Sequence, residues 1–223
     1  MNKGLFVSFI TLVLFSISIA GFAQEKPDAL KSYRIGRDLE VQGRMSDANA
    51  RYEEAIQICK QEIAQNEANM DSYTVLTWAL LRQTKYNDVI EWAQKGLKVN
   101  PGDYRVIETM GEAYFYLNQY DLSLKYMQKY IDAAPNAERI SVAYFFMGEV
   151  YRIKQKYNHA DIAYTTAVRL EPSMPVWWYR LGAVREALGD YAGSLKAYER
   201  AVQLNPSYKE AVDGADRVKK RLG

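Results

Sequence analysis

The chain holds a single cysteine, Cys59, and a single histidine, His159, among its 223 residues. Cys59 has no partner for an internal disulfide, so the fold must rest on packing alone. One Cys and one His cannot furnish a tetrahedral metal centre or a Cys–His nucleophile pair. Proline and glycine are scarce, at six and thirteen residues, and no long biased tract occurs, which argues against disorder. An excess of one charge is also missing: 29 Lys and Arg against 27 Asp and Glu leave +2. Such a balance offers no broad basic face, and no nucleic-acid partner is expected. There is no Gly-rich phosphate loop and no GxSxG elbow. Glu53 and Glu54, like Glu108 and Glu112, stand at helical spacing, where solvated faces are commoner than acid–base pairs. The expectation is a non-enzymatic protein without cofactor or metal.

What is present is a repeated phrase. MGEAYFYLNQY at 110–120 returns as MGEVYRIKQKY at 147–157, and more loosely as LGAVREALGDY at 181–191 and LTWALLRQTKY at 76–86. The starts lie 34, 37 and 34 residues apart, a period that belongs to stacked supersecondary units. Four prolines, Pro101, Pro135, Pro172 and Pro206, fix the frame as 70–103, 104–137, 141–174 and 175–208. A weaker unit fits 29–62, with insertions of seven residues (63–69) and three residues (138–140) between units. A short lead of 24–28 precedes the repeats, and 209–223 reads as a polar-backed capping helix with Ala211, Ala215 and Val218 on one face.

Each unit reads as two helices. In 141–174, Tyr144, Met147, Gly148 and Tyr151 recur at i, i+3, i+4 and i+7, while Ala160, Tyr164 and Ala167 mark a second apolar face. The eighth position of the units holds Gly36, Thr77, Gly111, Gly148 and Gly182. A mid-helix glycine costs about 1 kcal/mol against alanine, so its recurrence points to close approach of the partner helix. The twentieth position (Ala48, Val89, Ser123, Ala160, Ser194) and the twenty-seventh (Ala55, Gly96, Tyr130, Ala167, Ala201) are mostly small. Large Tyr52, Tyr164 and Tyr198 face them. The seven-residue insertion is nearly two helical turns, which predicts a long second helix in the first unit. Eleven of the eighteen tyrosines fall on framework positions and are expected in the core.

A 34-residue helix–turn–helix with W/Y-x2-L/M-G-x2-Y, a small residue, Y-x2-A and a closing proline resembles the tetratricopeptide repeat. Trp178, Leu181, Gly182, Ser194, Tyr198, Ala201 and Pro206 carry the resemblance, which covers about 29–208. Ser32, Lys60, Tyr130 and Arg185 depart from the pattern. The resemblance implies an all-α, right-handed superhelical solenoid of five helical hairpins plus a C-terminal capping helix, with the first helices lining a concave face. It places the peptide-binding groove at Tyr33, Arg37, Thr74, Trp78, Arg105, Glu108, Glu112, Phe115, Phe145, Glu149, Arg152 and Tyr179. On this reading the aromatic groups form an exposed apolar floor and the charges a solvated rim, the anatomy of an interface. The bland alternative is that neighbouring repeats bury the rings between them. The Lys and Asn types that grip a C-terminal carboxylate in some members are not at the corresponding positions, so a hydrophobic helix or extended segment is the expected ligand.

Residues 1–23 stand apart: Lys3, then an apolar run over 5–20, then Gly21-Phe22-Ala23. This pattern is expected to be a secretory signal peptide cleaved after Ala23, which would place the chain in the periplasm. An uncleaved membrane anchor is the alternative, and membrane contact is expected only in that case. The functional expectation is a non-catalytic scaffold for a protein or peptide partner of the cell envelope. A structural subunit of an envelope or outer-membrane assembly complex, with contacts outside the groove, is the rival. A small-ligand or transporter-accessory role is a third.

Overall fold

The computed structural model describes residues 28–223, among which there are eleven α-helices and no strand. The helices follow in antiparallel pairs: α1 (Ala29–Val41) with α2 (Met45–Gln65), α3 (Met70–Arg82) with α4 (Tyr86–Val99), and α5 (Tyr104–Tyr116) with α6 (Tyr120–Ala133). Then come α7 (Ile140–Ile153) with α8 (Tyr157–Leu170), α9 (Pro175–Ala187) with α10 (Tyr191–Leu204), and the closing α11 (Lys209–Leu222). Each helix packs on the next in the chain. The first helices also lie side by side, α1 on α3, α3 on α5 and α5 on α7, with α11 against α9. First helices therefore line the inner face and second helices the outer, as in a solenoid. The expected signal segment, 1–23, and residues 24–27 of the lead lie outside the described residues.

Turn chemistry repeats as faithfully as the helices. The fifteenth position of the five units, Gly43, Thr84, Asn118, Gln155 and Gly189, adopts φ between 57° and 80°. The next residue's N–H reaches back to close the helix, as from Lys85 to the Leu80 carbonyl (3.0 Å) and from Gln119 to the Tyr114 carbonyl (2.9 Å). Glycine and asparagine enter this left-handed region readily, but a β-branched side chain is strained there. Thr84→Gly is expected to raise stability by roughly 0.5–1 kcal/mol, the relief of strain less the extra chain entropy of glycine. Chemical denaturation checks the sign. N-terminal ends are capped where the sequence supplies Asx: Asp103 accepts from the amides of Arg105 and Val106, Asn69 from Ser72, and Asp190 from Gly193.

The recurring glycines sit beneath rings. A Cβ on Gly36, Gly148 or Gly182 would stand 2.6–2.7 Å from Tyr52, Tyr164 or Tyr198 respectively. Each of these tyrosines is at the twenty-fourth position of the same unit and is buried to within 1%. In the third unit the residue over Gly111 is Met127, 3.0 Å away. The second unit inverts the pair, setting Thr77 opposite the small Ala93, both fully buried. Ser123 and Ser194 at the twentieth position donate to the carbonyls of Gly111 (2.9 Å) and Gly182 (2.8 Å), tying the two helices together across the close approach. Tyr198 is clasped twice, since Gly214 of α11 meets it from the far side with Ala211, Ala215 and Val218 buried around it. Of the eleven framework tyrosines, Tyr52, Tyr73, Tyr114, Tyr164 and Tyr198 are buried. The other six (Tyr86, Tyr120, Tyr144, Tyr151, Tyr157 and Tyr191) are only half-buried, and four of them, Tyr86, Tyr120, Tyr157 and Tyr191, open the second helices at the hairpin turns.

The seven-residue insertion is taken up by α2, which runs for 21 residues against 13 or 14 in the other helices. Its extension keeps Cys59 and Ile63 buried. Burial pushes the Cys59 thiol up to about 12, which leaves it unreactive.

Candidate functional site: the inner groove

Trp78 of α3 is the common wall of three adjoining clefts on the inner face. The first, about 480 Å³, extends towards Leu30, Ser72 and Thr74 with Arg105 at its edge. The second, about 160 Å³, is enclosed by Tyr33, Arg37, Arg82, Glu108, Glu112 and Arg139. The third, about 240 Å³, lies over Tyr104, Tyr130, Glu108 and Arg139. The fold thus brings Tyr33, Arg37, Thr74, Trp78, Arg105, Glu108 and Glu112 together. Phe115, Phe145, Glu149, Arg152 and Tyr179 do not line these clefts and stand further along the inner face.

Two expectations need correction. The aromatic groups do not stand free. Tyr33 is 5.8 Å from Tyr52 and 5.6 Å from Trp78, and Phe115 meets Phe146 edge-on at 5.1 Å. Phe145 stacks on Trp177 at 5.0 Å, and Tyr179 packs against Tyr198 and Tyr208 at 5.8 and 5.2 Å. The rings are half-buried because the first helices lie side by side and the seams between them must be filled. Tyr116, 46% exposed and stacked on Tyr86, and Tyr104, 43% exposed, keep largely open edges.

The acids, in turn, are not a rim. Glu108, Glu112 and Glu149 are 3%, 7% and 6% exposed. Each is held by an arginine from further along the chain. Arg139, in the three-residue insertion before α7, donates from Nε to Glu108 (3.0 Å) and from Nη2 to Glu112. Arg180 of α9 approaches Glu149 at 3.0 Å, while Arg152 and the Tyr164 hydroxyl donate to the same carboxylate at 2.7 and 2.5 Å. The pattern continues at both ends. Arg82 of α3 and the Tyr52 hydroxyl hold Glu40, and Arg217 of α11 holds Glu186 through two bonds of 2.7 Å with the Tyr198 hydroxyl at 2.9 Å. The inner face therefore carries a series of arginine–glutamate staples, each joining one hairpin to the next. Burial without pairing is costly for a carboxylate, which is why these groups sit where an arginine reaches them.

Electrostatics separates the staples into two kinds. Burial alone would raise Glu40, but Arg82 and Tyr52 outweigh it and hold the carboxyl below its ordinary value. Glu186 is held down chiefly by Arg217. Glu108 goes the other way: burial, with Glu112 beside it, pushes its carboxyl well up despite Arg139. Two carboxyl groups share one guanidinium here, and Glu112 adds to the rise at Glu108.

Among the predicted charges, Arg37 is partly open, 3.4 Å from the Tyr33 hydroxyl and 3.9 Å from Glu40. Arg105 is engaged by Asp103 and Asp71, each at 2.8 Å. Sequence reasoning missed Arg139, Arg180 and Arg217. Arg139 falls in an insertion, outside the repeat frame, so position gave no signal for it. No group of histidine, cysteine and acidic residues fit to hold a metal occurs among the described residues.

Models of the tetratricopeptide repeat match residues 104–137, 141–174 and 175–208. The chain carries tetratricopeptide repeats. Solved tetratricopeptide-type solenoids share its fold. PilF of Pseudomonas aeruginosa is 15% identical with a TM-score of 0.68 over 87% of this chain and 84% of that one. MamA of Desulfovibrio magneticus is 20% identical with a TM-score of 0.62 over 81% of this chain and 96% of that one. YrrB, described as a TPR protein with an unusual peptide-binding site, is 16% identical with a TM-score of 0.58 over 86% and 94%. Among curated proteins, human protein O-mannosyl-transferase TMTC1 is 26% identical over 77% of this chain but only 20% of its own length. Yeast heat shock protein STI1 is 29% identical over 48% of this chain and 18% of its own. The chain spans about a fifth of the length of these curated relatives. A tetratricopeptide fold supports a scaffold that binds proteins or peptides.

Proposed function

We propose that the protein is a non-catalytic scaffold of the cell envelope, holding a protein or peptide segment in the groove centred on Trp78. The observation that carries this reading is the convergence of three clefts on one half-buried indole. Together they offer an apolar wall flanked by Arg37 and Arg105, with Glu108 and Glu112, both bound by Arg139, on the floor. A chain laid along them gains aromatic contact from Trp78 and orientation from the charges. The transferase activity in the name of the human relative does not bear on this, since the shared region is a fifth of that protein. Export rests on the pattern of residues 1–23, and N-terminal sequencing of the mature protein tests it.

The test of the groove is affinity capture from a native envelope fraction with the whole chain. Trp78→Ala is expected to weaken the captured partner by roughly 100-fold or lose it, as for a central aromatic anchor. The thermal midpoint, measured alongside, should fall by only a few degrees. Retention of every partner by the variant would remove the groove from consideration. The rival reading, a structural subunit with contacts outside the groove, would then stand, and crosslinks confined to the second helices would favour it.

A further inference from the structure

On the outer face, α2 and α4 flank a cleft of about 440 Å³ that the groove does not use. Its floor is aromatic: Trp92 of α4 lies 6.3 Å from Tyr73, which closes the back. The ring of Tyr73 seats over Gly96, whose Cβ would come within 3.1 Å of it, so the floor is fixed by packing. One wall exists only because α2 is long. Ile63 and Ala64 belong to the extension beyond the 34-residue unit, and Glu67 to the loop that follows it.

The rim is cationic on both sides. Lys60 of α2 stands 5.9 Å from the centroid of the Trp92 ring, and Lys95 of α4 stands 4.2 Å from it. Lys98 follows one turn later. Lys95 is paired with Glu91 at 2.7 Å, while Lys60 and Lys98 make no ion pair among the described residues. With Glu67 in the lining and Glu91 paired to Lys95, the three lysines leave a surplus of one positive charge at the cleft. Two lysines on opposite walls of an aromatic slot suit a ligand with one bulky apolar side chain and carboxylates on either side of it.

The geometry points to a second docking site here, for an acidic peptide segment that presents a Leu, Phe or Trp side chain to Trp92. The recessed floor between two helices admits a protruding chain better than the flat plane of an anionic membrane. The site stands independently of the inner groove: none of its lining residues borders the clefts around Trp78.

A displayed library of random short peptides, panned on the whole chain, tests this. Sequences combining a bulky apolar residue with flanking Asp or Glu should be enriched. Their affinity should fall roughly tenfold in the double variant Lys60→Glu, Lys98→Glu and fall with added salt, as expected for charges at an interface rim. Both lysines are exposed, so folding is not at issue. Trp78→Ala should leave this binding unchanged, while Trp92→Ala should abolish it. Three results would overturn the proposal: no acidic enrichment, equal binding by the charge-reversed variant, or binding that disappears with Trp78→Ala. Vesicles containing phosphatidylglycerol supply the remaining arm. If they are bound through Lys60 and Lys98 while acidic peptides are not, the surface serves a membrane and the peptide proposal falls.

Discussion

Gly148→Ala is expected to destabilise the protein by about 2 kcal/mol, although alanine is the better helix former by about 1 kcal/mol. The added Cβ would lie 2.6 Å from both Cδ1 and Cε1 of Tyr164. That ring has no room to retreat, since Tyr164 is fully buried and its hydroxyl is tied to Glu149 at 2.5 Å. A rigid ring must be displaced with its helix, which is the usual cost of overpacking. Gly111→Ala supplies the comparison. There the intruding atoms are Cε and Sδ of Met127, at 3.0 and 3.2 Å, the mobile end of a flexible side chain. Relaxation of the thioether should let the helix-propensity gain offset the overlap, leaving a change within about 0.5 kcal/mol. Thermal denaturation distinguishes them: a fall of roughly 4–8 °C at Gly148 against almost none at Gly111. In a Tyr164→Ala background the substitution at Gly148 should become a gain of about 1 kcal/mol, a coupling of about 3 kcal/mol. Equal effects at the two glycines would show that the ring is not what the glycine accommodates.

Arg139→Met should cost about 3 kcal/mol near neutral pH, the low end for breaking a buried ion pair, because the guanidinium is itself 46% exposed. What remains is Glu108 and Glu112 side by side, 3% and 7% exposed, without a cation. Burial and the neighbouring carboxylate already hold Glu108 well above its ordinary value. A carboxyl raised by folding binds its proton more tightly in the folded chain than in the unfolded one. Its penalty is therefore complete above the folded pKa and disappears as pH falls towards the unfolded value. The loss caused by Arg139→Met should accordingly shrink on acidification to about pH 5. Glu40 and Glu186 have the opposite sign: held low by Arg82 and Arg217, they stabilise above their unfolded values and lose that contribution as pH falls through the folded ones. Urea midpoints at two pH values, with the Glu108→Gln, Glu112→Gln background as control, decide the matter. In that background Arg139→Met should cost little. A loss that grows on acidification would overturn the assignment.

The fold is legible in the sequence because its determinants are local and recur in register. Gly36, Gly148 and Gly182 announce an intrusion, and Tyr52, Tyr164 and Tyr198, sixteen residues later in each case, are the rings that intrude. The long second helix follows from an insertion of nearly two turns that preserves the buried stripe through Cys59 and Ile63. The inner face was less legible. Periodicity tells which side of a helix Glu108 or Phe145 occupies, but not how closely the neighbouring repeat covers it. That depends on residues one repeat away, such as Trp177 under Phe145. Arg139 lies between repeats, and no positional rule reaches it. Tyr33, Arg37, Trp78 and Arg105, four of the twelve groove positions that the resemblance implies, meet in the structure because they share one helical face on three successive first helices.

The staples have a direction. Glu40 is answered from α3, Glu108 from the segment before α7, Glu149 from α9 and Glu186 from α11, always by a residue nearer the C-terminus. An array joined this way is not symmetric under trimming. Shortened from its beginning, it would shed a carboxylate together with any need for the guanidinium that met it. Shortened from its end, it would leave an acid stranded in a dry seam. The last helix thus acts as a terminator, and unravelling should be easier to start at one end of the molecule than at the other.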